Sequence, residues 1–150
     1  MTVFHNMNIS ASALTAQRFR MDVISSNLAN ADTTRANFVN GEWQPYRRKV
    51  VEFQPEEGKF ANYLQKAMDS PEAAGRGVKV SDVKEDDSPL KLVYNPSHPD
   101  ANEDGYVAYP NVDPLQEMVD LMSATRSYEA NVTALNASKS MLMKALEIGK

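Results

Sequence analysis

The residues best placed to do chemistry in this chain form one acidic run, Asp100-Ala101-Asn102-Glu103-Asp104-Gly105. Side-chain oxygens followed by a glycine match the first half of an EF-hand calcium loop. Position 12 of such a loop would be Asn111, where the ion requires a bidentate Glu, and Pro99 and Pro110 forbid the flanking helices. The run reads as a turn leading into a strand. Gly75-Arg76-Gly77 lacks the third glycine and the following helix of a dinucleotide loop, and reads as a flexible turn. Arg47-Arg48-Lys49 lies between Tyr46 and Val50. On an alternating strand two of these cations share a face, which favours a solvated or inter-subunit ion pair over a phosphate site. His5 and His98 are isolated, and no Ser, His and Asp stand around a nucleophile turn. The expectation is no enzyme, no metal, no cofactor and no small-molecule substrate.

Composition narrows the classes further. The chain has 150 residues, enough for one domain or two small ones, and no cysteine, so neither a disulfide frame nor a thiolate metal site is possible. Met1 to Asn8 shows no basic segment before an apolar run, so no cleavable secretory signal is expected. Nowhere do apolar residues run long enough to span a bilayer, so no membrane insertion is expected. The net charge is −4, and residues 32–113 carry the acidic excess with ten basic and fifteen acidic side chains. That balance gives no support to a nucleic-acid partner.

These residues must be positioned by a chain that reads helix, irregular β-rich middle, helix. Met7, Leu14, Met21 and Leu28 are seven apart, with Ala11, Ile24 and Ala31 filling the stripe and no Pro or Gly interrupting it. The C-terminal helix has a marked start: Asp113 as N-cap, Pro114 at the first helical position and Gln116 three after the cap. Its stripe is Leu121, Tyr128, Leu135 and Leu142, supported by Thr125, Val132 and Leu146. Between the helices Gly and Pro recur from Gly41 to Pro110, leaving room for a short helix at Phe60–Met68 and short strands at Arg48–Phe53, Val78–Val80 and Lys91–Tyr94. The expected fold is α+β. Long terminal helices (1–34 and 114–150) pair as an antiparallel coiled coil, and a small loop-rich β module (35–113) lies between them.

The helix surfaces carry the functional signal. Away from the stripe a solvated helix shows Lys, Glu and Arg, yet residues 1–31 hold only three charges. In their place stand Ser10, Ser12, Thr15, Gln17, Ser25, Ser26, Asn27 and Asn30, with alanines between; the later half of the C-terminal helix is similar, from Ala130 and Asn131 to Ser140. Small uncharged residues all round a helix let neighbours approach closely, which suits the inside of an assembly. The glycosylation-like triplets at Asn8, Asn131 and Asn136 fall within these helical patterns and read as chance. Leu28 reads as the last large knob of the seam. Asn27, Ala29 and Asn30 read as a hydrogen-bonding surface aimed at neighbouring subunits or the C-terminal helix.

The segment Ser25-Ser26-Asn27-Leu28-Ala29-Asn30 resembles the N-terminal signature of the bacterial flagellar axial family of rod, hook and hook-associated proteins. The series Pro45–Lys49, Gly77–Val80, Val93–Pro96, His98-Pro99, Gly105–Val107, Pro110–Asp113, Arg126–Val132 and Ala145–Gly149 is similar to its proximal-rod members. Asp32–Phe38 lacks the glycine that many rod and hook relatives carry there, which also favours the proximal-rod subtype. The resemblance implies a structural subunit of the flagellar basal body. Such a subunit is exported unfolded by the flagellar type III apparatus and polymerises with itself and other rod subunits. The product is a helical tube across periplasm and cell wall that transmits torque and encloses the export channel. The paired terminal helices would form the inner core and the middle an outer module, with Met7, Leu14, Met21, Ile24, Asn27, Leu28, Ala29, Asn30, Leu121, Tyr128, Asn131, Val132, Leu135 and Leu142 as packing residues. The rival reading is a helical regulatory protein engaging a single partner through the same helices.

Overall fold

Thr2 to Ala29 contains neither Pro nor Gly, and in the computed structural model it forms one continuous helix, α1. The structure describes residues 2–39, 41–56 and 77–148; the short helix expected at Phe60–Met68 lies outside these. After α1 come β1 (Asn37–Val39), β2 (Glu42–Gln44), β3 (Lys49–Pro55), β4 (Val78–Glu85), β5 (Lys91–Tyr94), β6 (Tyr106–Tyr109) and the C-terminal helix α2 (Pro114–Ile148). The α+β class and the small β module match the sequence reading, as do the three expected strands.

Among the described residues every sheet has two strands: β1 with β2, β3 with β4, β5 with β6. The first pair is antiparallel with Phe38 opposite Trp43, and the last is antiparallel with Val93 opposite Val107 and Tyr94 opposite Tyr106. The acidic run expected as a turn is one: Asn102 Oδ1 accepts from the Tyr106 N–H at 2.7 Å, and the Asn102 N–H donates to the Tyr106 carbonyl at 2.9 Å. Gly105 closes that turn at φ +79°, a left-handed conformation that L side chains rarely adopt.

The chain divides into two compact units. The first comprises Met1–Phe19, Glu52–Asp82 and Ala124–Lys150; the second comprises Arg20–Val51 and Val83–Ser123. In the first, the Ser12 hydroxyl donates to the Ile9 carbonyl at 2.8 Å and accepts from the Val78 N–H at 3.1 Å, which joins β4 to α1. Gly77 makes this approach possible, since a Cβ there would lie 2.6 Å from Ser12 Oγ. Ala16 and Ala124 are buried in this unit. In the second, Ile24, Tyr46, Val107 and Val112 form the buried apolar core.

The helix ends follow from side-chain chemistry. Asp113 caps α2 through a 3.0 Å bond from the Leu115 N–H, as its position predicts, but Gln116 does not complete the capping box and donates to Asp120. The end of α1 tightens: the Asn30 N–H reaches the carbonyls of Ser26 and Asn27, both at 3.2 Å, and Asn30 Nδ2 bonds Ser26 again at 2.9 Å. Gly105→Ala should destabilise the chain by about 1–3 kcal/mol. The added Cβ would take positive φ and sit 3.0 Å from the Tyr94 ring; an unchanged urea midpoint would contradict the turn geometry.

Candidate functional site

Asn27 stands near the end of α1, in the segment that sequence marks as unusual, and only 1% of its surface is exposed. Its amide is fully used. Nδ2 donates to the Lys49 carbonyl at 2.9 Å and to Glu117 Oε2 at 3.1 Å, while Oδ1 accepts from the Tyr46 hydroxyl and the Lys49 N–H, both at 2.9 Å. One side chain thereby ties α1 to the start of β3 and to the first turn of α2, all within the second unit.

Glu117 has no exposed surface, and an isolated carboxylate there would be prohibitively costly. Arg48 neutralises it, with Nε 2.5 Å from Glu117 Oε1. The same guanidinium reaches Asp120 at 3.5 Å and Asp86 at 3.6 Å, and Arg20 approaches Asp120 at 3.4 Å. Burial alone would lower the Arg48 pKa; the hydrogen bond and charge of Glu117, with Asp120 and Asp86, outweigh that and raise it. Asn111 buttresses the arrangement by accepting from the Arg48 N–H at 2.8 Å and donating to the carbonyls of Asp86 and Ser88. Asp86 is held below the usual carboxylate range by the Ser88 hydroxyl and N–H.

A second clamp fixes the exit from α1. Asp100 accepts from Thr34 at 2.8 Å and from Arg35, and these bonds, Arg35 foremost, hold its carboxyl below the ordinary range. These oxygens therefore serve a structural contact, and among the described residues no group of three or more His, Asp or Glu is gathered for a metal.

The sequence offered two targets for Asn27, and the C-terminal helix is the one it meets within the chain. Asn30 bonds locally to Ser26 and Thr33. In the basic run, Arg48 makes ion pairs inside the chain with Glu117, Asp120 and Asp86, while Lys49 lies over the Tyr46 ring at 5.7 Å. Ile24 is buried and Ala29 exposed; Met7, Leu14, Met21 and Leu28 are half-buried. The buried line on α1 runs instead through Ala16, Ile24 and Asn27, at helical spacing. On α2, Leu121, Tyr128, Asn131, Val132, Leu135 and Leu142 are half-buried, whereas Glu117, Ala124 and Ser138 are buried. Sequence reasoning missed Glu117; its signal was a carboxylate amid apolar residues in the first turn of α2. It also missed a face of α2 left open, with Leu115 72%, Met118 53%, Val119 48% and Met122 54% exposed at spacings of three, four and seven.

Asn27→Ala should cost about 3–5 kcal/mol in urea unfolding, because Lys49 and Tyr46 lose buried partners and Glu117 loses a donor. Asn27→Asp should be worse at neutral pH, since it sets a second carboxylate against Glu117, and should recover as protonation at lower pH relieves the repulsion. A milder effect for Asp than for Ala at pH 7 would contradict the donor assignment. Because Asp100 has a depressed folded pKa, its contribution is present at neutral pH and is lost as pH falls below ~3.9 and through the folded value. The stability gap between the chain and Asp100→Asn should therefore shrink over that range; a gap independent of pH would contradict the clamp.

Two family models match the chain at its ends: one described as flagella basal body rod protein over residues 7–36, and one as flagellar basal body rod FlgEFG protein C-terminal over residues 103–148. The chain is 67% identical over 150 residues to the flagellar basal-body rod protein FlgC of Bacillus subtilis, covering all of both chains. It is 47% identical over 150 residues to the FlgC protein of Escherichia coli O157:H7, again covering all of both. Against that of Borreliella burgdorferi it is 43% identical over 159 aligned positions, covering 99% of this chain and 98% of the relative. Asn27 falls in the first matched segment and Glu117 in the second.

Proposed function

Because the chain belongs to the FlgC family of flagellar basal-body rod proteins, we infer that its terminal helices are the assembly elements of the rod. It is a structural subunit of the basal body and not an enzyme, and it assembles with other rod subunits. Among the described residues no helix is long and apolar enough to cross a membrane. The observation that carries the reading is the match of both terminal segments to rod models, combined with identity along the whole chain.

In this reading, residues 1–34 and 114–150 pair as an antiparallel coiled coil in the rod core, and 35–113 forms the outer module. The contacts of Arg20 with Asp120 and of Asn27 with Glu117 support the pairing, since they run in opposite chain order. The half-buried residues Met7, Leu14, Met21, Leu28, Leu121, Tyr128, Leu135 and Leu142, with Asn131 and Val132, keep apolar area for neighbouring subunits. The open face Leu115, Met118, Val119 and Met122 joins them as assembly surface. Polymerised with itself and other rod proteins, the subunit would contribute to a tube that transmits torque and encloses the export channel, after passage through the type III apparatus.

The test is a pair of measurements in the parent bacterium. A tagged chain should be found by electron microscopy in the rod of purified basal bodies; its absence there would overturn the reading. Val119→Asp should change monomer stability by no more than about 0.5 kcal/mol, because the site is exposed. It should nevertheless reduce incorporation and swimming at least tenfold (~1.4 kcal/mol). Normal swimming would remove this face from the interface.

A further inference from the structure

Trp43 is the only tryptophan of the chain, and it stands 54% exposed on the β1–β2 hairpin. Phe38, directly opposite in the register and 60% exposed, supports it with ring centroids 5.1 Å apart. Elsewhere in the same unit lies an open cleft of about 250 Å³ walled by Val93, Tyr109, Val112 and Pro114, with Asp32 and Lys91 as its two charged side chains. Lys91 is held at the wall by a 2.6 Å bond from Nζ to the Val112 carbonyl.

Resting on the reading of the chain as a rod subunit, we propose that this cleft receives Trp43 from a second copy of the same chain. The volume suits a large side chain, lying below the roughly 300–1,000 Å³ of small-molecule sites. The lining suits an indole in particular. Apolar walls take the ring body, the Asp32 carboxylate accepts the indole N–H that needs a partner once buried, and the Lys91 ammonium complements the electron-rich ring face. Tyr109 adds an aromatic neighbour. Knob and hole occupy different places on one chain, so the contact is heterologous; repeated from copy to copy without closing, it builds a helical filament. A rigid aromatic entering a desolvated pocket is also the residue type that dominates interface energetics.

The chain has no cysteine, which makes cross-linking clean. Gln44→Cys and Leu92→Cys flank knob and hole at exposed positions and leave Trp43, Asp32 and Lys91 intact. Basal bodies carrying the doubly substituted chain, treated with a short bifunctional maleimide, should yield dimers and higher multiples of it. Chains that incorporate but stay single, or that cross-link only to other rod proteins, would overturn the proposal. Absence of even the unsubstituted chain from basal bodies would instead overturn the rod reading. As a second measurement, Trp43→Phe and Asp32→Ala should each lower incorporation about fivefold (~1 kcal/mol), and the double variant should be no worse than either. Losses that multiply would show that the indole and the carboxylate do not meet.

Discussion

Glu117 is a carboxylate with no exposed surface, and the second unit is arranged around neutralising it. Burying such a charge costs several kcal/mol unless its partners are close and its lone pairs are used. Arg48 supplies the countercharge and Asn27 the second donor. Each has its own requirements: Arg48 extends to Asp86 and Asp120, and Asn27 fills its remaining sites with Tyr46 and the Lys49 backbone. Two helices and the strand that starts at Lys49 thus share one set of hydrogen bonds. Removing any member leaves a buried group without its partner, so the set forms or fails together.

This constraint explains how the second unit keeps order with a small apolar core. Ile24, Tyr46, Val107, Pro110 and Val112 are its buried apolar side chains among the described residues, while Leu115, Met118, Val119 and Met122 face outward. Turning those four outward forgoes apolar burial in the monomer and, in the proposed reading, leaves it for the assembly. Polar geometry fixes the ends of the terminal helices inside the second unit, and in the proposed reading hydrophobic area is kept for neighbours. For a rod subunit as proposed here the division is useful: directional bonds set which faces point outward, and non-directional burial of those faces would then favour polymerisation. It also accounts for helices poor in charge, since Lys and Glu on those faces would have to be desolvated on assembly.

Much of this was legible in the sequence, for identifiable reasons. Uninterrupted helical segments, the Asp113 cap and the strands at β3, β4 and β5 follow from local rules. The segment around Asn27 stood out because Asn inside a helical pattern is costly without a partner. Its partners were not legible: Glu117 lies 90 positions away, and only the three-dimensional course of the chain brings it to hydrogen-bonding distance. On the buried line of α1, Ile24 and Asn27 were named as packing residues and Ala16 was not. Seven-residue spacing selects the largest side chains, whereas close approach selects Ala16 and a hydrogen-bonded Asn27. The strands β1 and β2 have three residues each, too few for a period of two to register. The acids that meet Arg48 were not legible, because a basic run on a strand says nothing about which acid faces it.

The most direct measurement of the central claim is a double-mutant cycle between Asn27→Ala and Glu117→Gln, read from urea unfolding of the purified chain. If the two side chains act as one hydrogen-bonded set, the cycle should give a coupling of about 1–3 kcal/mol, with the double variant well short of the sum of the singles. Effects that add to within about 0.5 kcal/mol would show that Asn27 and Glu117 contribute independently, and that the unit is held by something other than their shared bond.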